Sequence, residues 1–97
     1  MKYKIQFKAK NSRAKITSEE DCSYVQFSED PIERTVEITK GYPALNLDID
    51  KDGLIVGLEL LGQKEFTLKK IIAAVTPVLP ENERGSLQAS LETVISA

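Results

Sequence analysis

Apolar and polar residues alternate with a period of two through much of the first 62 positions, and the period becomes helical beyond them. The clearest alternation is LNLDIDKDGLIVGLELLG, residues 45–62, where two apolar runs flank Asp52-Gly53. An Asp-Gly pair suits a tight hairpin turn because a type I′ turn needs positive φ at both central residues. With Asp52 and Gly53 as a two-residue loop, Ile49 faces Val56, Leu47 faces Leu58 and Leu45 faces Leu60. Asp50 with Ile55, Asp48 with Gly57 and Asn46 with Glu59 then share the other face. A three-residue loop slips the register by one, setting Val56 against Asp48 and Leu58 against Asn46. That slip moves an apolar set onto the polar face, so burial selects the two-residue loop.

Shorter alternations predict further strands. Tyr3, Ile5, Phe7 and Ala9 interleave with Lys2, Lys4, Gln6, Lys8 and Lys10, as in a half-buried strand with its lysines in water. Residues 14–17 form a short strand. Residues 22–28 form another around Tyr24, Val25 and Phe27, whose aromatic and β-branched side chains favour strand. A third spans residues 34–39, with Val36 and Ile38 on one side. Polar or proline-bearing turns separate them, and consecutive strands joined by short turns are expected to pair as an antiparallel meander. Tyr24 and Tyr42 are expected to pack with their hydroxyls in water.

After Gly62 the stripe Leu68, Ile71, Ile72 and Val75 predicts an amphipathic helix with Thr67 as its N-cap. Pro77 and Pro80 end it. A second helix, beginning at Asn82 or Ser86, carries Leu87, Leu91, Val94 and Ile95 on one face. The fold class is α+β, an antiparallel meander followed by two C-terminal amphipathic helices. Residues 1–97 make a single domain, with a sheet core over 1–62 and a helical extension over 67–96. Each apolar stripe must cover something. Both stripes can pack against the chain's own sheet in a monomer, but the proline-bounded link from Thr76 to Pro80 favours holding the last helix off it. Leu87, Leu91, Val94 and Ile95 then become the candidate interaction residues, offered to a second protein or a second copy. A homodimer is expected, with that helix or a free strand edge at the interface.

Charge adds one feature. Residues 1–15 hold six basic side chains (Lys2, Lys4, Lys8, Lys10, Arg13, Lys15) and no acidic one, while the other 82 residues hold seven basic and fifteen acidic. A basic arm can contact nucleic acid, but no aromatic residues share its lysine face and the body is acidic, so nucleic acid is not the expected partner. The single Cys22 gives no disulfide framework and no thiolate cluster. No segment is long enough to span a membrane, and a soluble cytoplasmic setting is expected.

Asp48, Asp50, Asp52, Gly53, Ile55 and Glu59 also occupy calcium-loop positions 1, 3, 5, 6, 8 and 12. That template needs a helix before the loop, whereas the residues before Asp48 alternate at period two and include Pro43. A weak calcium site over residues 48–59 remains an alternative, and an Asp-rich polar face beside a tight turn is the expectation. The chain has no histidine, so the commonest general base and metal ligand is missing. Its five glycines are isolated and cradle no phosphate. No catalytic residue, cofactor or resident metal is expected.

Over residues 14–62 the chain resembles the domain-of-unknown-function family 2283. The stretches that carry the likeness are AKITSEEDCSYVQF, with Asp21 before the Tyr24 strand, then RTVEI, then DGLIVGLEL from Asp52 to Leu60. The resemblance implies a small β-rich domain, reads the Asp48-to-Glu59 pattern as a hairpin, and supplies no catalytic residues. Some members look like accessory proteins encoded beside toxin-like partners, which implies binding. The expected function is therefore a non-enzymatic protein-interaction protein of accessory or inhibitor type. Nucleic-acid binding through the basic strand is the first alternative.

Overall fold

A computed structural model of the chain describes residues 5–7 and 14–95. Five strands, β1 (Lys15–Glu19), β2 (Cys22–Gln26), β3 (Arg34–Glu37), β4 (Ala44–Ile49) and β5 (Ile55–Leu61), precede two helices, α1 (Leu68–Val75) and α2 (Glu81–Ile95). The strands form one antiparallel sheet in the order β1-β2-β5-β4-β3. The α+β expectation is therefore met, but the sheet is not a simple meander. β5 lies between β2 and β4, so β2 never pairs with β3, and β2 to β5 form a Greek key. Burial explains the order. β4 and β5 carry the densest apolar sets and sit inside the sheet, while the exposed β1 and β3 take the edges.

The central hairpin has the expected register from Leu45↔Leu60 through Asp48↔Gly57. Near the turn it differs: Ile49 pairs with Ile55, not Val56. The loop is the three-residue one, Lys51-Asp52-Gly53, closed by Gly53 N–H donating to the Asp50 carbonyl (3.1 Å) and Asp50 N–H to the Leu54 carbonyl (2.9 Å). Gly53 alone in that loop has positive φ, at 82°, which suits a three-residue loop and not a type I′ turn. An irregularity between Asp48 and Ile49 then absorbs the extra residue. Both devices together restore the apolar pairing that a bare slip would have destroyed.

Val25, Leu45, Leu47, Leu58 and Leu60 form the covered face of the sheet and pack with Ile71, Val75, Leu79, Leu87 and Leu91 from the helical part in one buried cluster. Each such aliphatic side chain contributes about 2 kcal/mol on burial. Thr67 caps α1, its hydroxyl accepting from Lys70 N–H at 3.2 Å. After α1, a 3-10 turn (Thr76–Val78) containing Pro77 leads through Pro80 directly into α2 at Glu81, one residue before the earlier of the expected starts. Gly85 sits inside α2 on its exposed side. The prolines do not hold α2 away: the short link folds it back, and Leu87 and Leu91 are fully buried in the shared core.

Of the basic N-terminal strand only residues 5–7 are described; Lys2, Tyr3, Lys4, Lys8, Ala9, Lys10 and Arg13 lie outside the described residues. Gln6 bridges Leu54 in parallel, donating to the Gly53 carbonyl (2.8 Å) and accepting from Ile55 N–H (2.9 Å). Ile5 and Phe7 reach the core, where Phe7 meets Phe27 edge-to-face at 5.0 Å. The Phe7 N–H donates to Glu83 of α2 at 2.7 Å, tying this segment to the helices.

Candidate functional site

Helices cover one face of the sheet; the other is built from polar side chains that hold one another. Asp48, on β4, accepts from the Tyr24 hydroxyl of β2 (2.8 Å) and from the Thr35 hydroxyl of β3 (2.5 Å). It is only 9% exposed, so the expected solvated aspartate is in fact a buried acceptor with two partners. Tyr24 reaches it by lying over Gly57, where a Cβ would come within 1.9 Å of the tyrosine oxygen. The Tyr24 hydroxyl is therefore committed to a carboxylate of its own sheet. Burial first, then the bond to Asp48, raises its pKa well above the ordinary value of about 10. Next to this pair, Asn46 donates to Glu59 at 3.1 Å.

The second aspartate of the strand is occupied too. Asp50 accepts from the N–H groups of Asp52 (2.8 Å) and Leu54 (3.0 Å), which is what stabilises the loop. The residues of the calcium template thus sit in a hairpin flanked by strands. Among the described residues, no three acidic or cysteine side chains are grouped so as to hold an ion. A cleft between the β2–β3 crossover and the hairpin turn is lined by Asp30, Pro31, Glu33, Asp50, Lys51 and Asp52.

The expected interaction stripe is largely spent within the chain. Leu87 and Leu91 are 1% and 0% exposed, Val94 is half-buried against the core, and the side chain of Ile95 lies outside the described residues. Amphipathicity had required a cover for this stripe, and the chain's own sheet supplies it. Among the described residues, an edge of the sheet is open. Among the described residues β1 pairs with β2 alone, and all five of its residues are exposed. Ile16 there is 43% exposed on the helix side, beyond the reach of the core. At the other edge, β3 exposes Arg34, Thr35 and Glu37. Near β3, Tyr42 is exposed and its hydroxyl donates to Asp21, which lowers the Asp21 pKa. Cys22 is free and half-buried.

A family model described as "Protein of unknown function (DUF2283)" matches residues 15–64, from β1 through the turn that follows β5. The chain belongs to this family. The matched part includes the whole sheet and the Tyr24–Asp48 pair, whereas α1 and α2 lie beyond it. No curated protein and no solved structure matches the chain. No helix among the described residues is long and apolar enough to cross a membrane.

Proposed function

We propose that this is a small non-enzymatic interaction protein that takes an extended protein segment onto the free edge of β1. The observation that carries the reading is that edge: five consecutive exposed residues, paired among the described residues with β2 alone. An unpaired strand edge offers a row of N–H and C=O groups, and adding a strand to it is a recurrent mode of peptide recognition. The occupied state of the carboxylates fits a binding role better than a catalytic one. Asp48 and Asp50 each already serve two donors, and Glu59 accepts from Asn46. A reducing cytoplasmic setting suits the free Cys22.

The test is site-specific photo-crosslinking in lysate of the native cell. A benzoylphenylalanine placed at Ile16 should give a discrete protein adduct, and the same group at the exposed Gln88 of α2 should give none. Adducts from Gln88 but not from Ile16 would place the docking surface on the helices and overturn the edge reading. No adduct from either position would overturn it as well.

A further inference from the structure

We infer that the occupant of the β1 edge is a second copy of this chain, paired antiparallel about a two-fold axis through Thr17. This inference rests on the interaction reading above and names its partner. The reason lies in the sequence of the strand, Lys15-Ile16-Thr17-Ser18-Glu19. When two antiparallel strands pair, directly opposed residues point to the same face of the sheet. A two-fold axis normal to the sheet leaves each residue on its own face, so opposed positions must differ by an even number. The axis through Thr17 satisfies this and pairs all five residues within the strand. Lys15 then opposes Glu19 of the second copy at both ends, Ile16 opposes Ser18, and Thr17 opposes itself. Two opposite-charge pairs and a threonine pair are favourable cross-strand contacts.

Neighbouring axes lose this match. An axis through Ser18 sets Ile16 against Glu20, which lies past the end of the strand, and one through Ile16 sets Lys15 against Thr17, leaving that lysine without an opposed carboxylate. The opposite edge has no equivalent. In β3 an axis through Thr35 brings Glu33 against Glu37 of the second copy, a like-charge pair, and one through Val36 sets Arg34 against Ile38. A lysine on an edge strand ordinarily discourages pairing. Here Lys15 discourages strangers and is neutralised only by a strand that presents a carboxylate four residues along, as this one does. Pairing also covers part of Ile16, which the helices leave 43% exposed.

A contact of five residues a side is small, so the dimer is weak, with a dissociation constant in the range of about 10 μM to 1 mM. Sedimentation equilibrium on the purified full chain up to about 1 mM reads it. The wild-type mass should rise from 10.8 kDa towards twice that value. Lys15→Glu and Glu19→Lys should each weaken association by at least about tenfold, because both ends become like-charge pairs. The double variant Lys15→Glu/Glu19→Lys should restore it. Both positions are exposed, and a melting curve for each variant separates loss of pairing from loss of fold. A wild type that stays at 10.8 kDa overturns the inference. So does a dimer indifferent to either single change, or a double variant no tighter than the singles. A monomeric wild type that still gives a heterologous adduct at Ile16 in lysate defeats self-pairing alone and leaves the interaction reading standing.

Discussion

On the helix side of the sheet Val25, Leu47 and Leu58 are buried completely by α1 and α2. On the opposite side, Asp48 is buried almost as well by side chains of the sheet itself, Tyr24 and Thr35. One face removes water with aliphatic volume from another layer. The other does so with one tyrosine laid flat across a glycine and a carboxylate that collects two hydroxyls. The difference teaches why this sheet needs no second layer of helices. Its outer face pairs polar side chains with one another, and among the described residues β1 and β3 each have a strand neighbour on one side.

The covered face should respond most strongly to change. Leu58→Asp places an unpaired carboxylate at a position with 0% exposure, and should cost about 4 kcal/mol, enough to abolish cooperative urea unfolding. If that variant unfolds at the parental urea concentration, Leu58 is not in the core. Next comes the contact on which the open face depends. Gly57→Ala drives a methyl into the Tyr24 hydroxyl and breaks its bond to Asp48, at a cost of about 2 kcal/mol. Combined with Tyr24→Ala, which removes the clash, the same Gly57→Ala change should cost markedly less. Equal penalties in the two backgrounds would dissociate Gly57 from Tyr24.

Tyr24→Phe should be milder, about 1 kcal/mol, and it carries a pH signature. Because burial and the Asp48 bond raise the Tyr24 pKa in the fold, its contribution is complete below the ordinary tyrosine value of about 10 and is lost as the pH climbs beyond it. Wild-type stability should therefore fall above that pH more steeply than the Phe variant's, measured by urea midpoints across the alkaline range. Parallel profiles would show that Tyr24 ionises as freely in the fold as out of it. The smallest effect is expected from calcium. With Asp48 and Asp50 held by their own donors, 1 mM calcium, about the affinity of weak extracellular sites, should leave the melting temperature unchanged. A rise of several degrees, abolished by Glu59→Gln, would contradict this.

Much of the covered face was legible along the chain, because period-two and helical apolar patterns state which side chains need burial. The β4–β5 register from Leu45 to Asp48 and both helical stripes follow from that, and Thr67 from the preference of threonine for the N-cap, whereas the three-residue turn and its register shift did not. What the stripes are buried against does not: Leu87 and Leu91 required a cover, and whether a partner or the chain's own sheet provides it depends on how the Pro77–Pro80 link turns. Strand order was equally hidden, since placing β2 beside β5 is a long-range choice that no local pattern encodes. The open face was misread for a chemical reason. An alternating Asp48 looks solvated unless one sees that Gly57 clears a path for Tyr24. Glycine in a strand next to an aromatic on the neighbouring strand was the available signal. The free edge of β1 could not be distinguished from an inner strand until its neighbours were known.

The most direct measurement is an isotope-filtered NMR experiment on an equal mixture of labelled and unlabelled chains at about 1 mM, the top of the affinity range expected for so small a contact. Pairing of β1 edges predicts proton contacts between copies confined to residues 15–19, symmetric about Thr17. Contacts between copies that map to α2 or β3, or no contacts between copies at all, would contradict it.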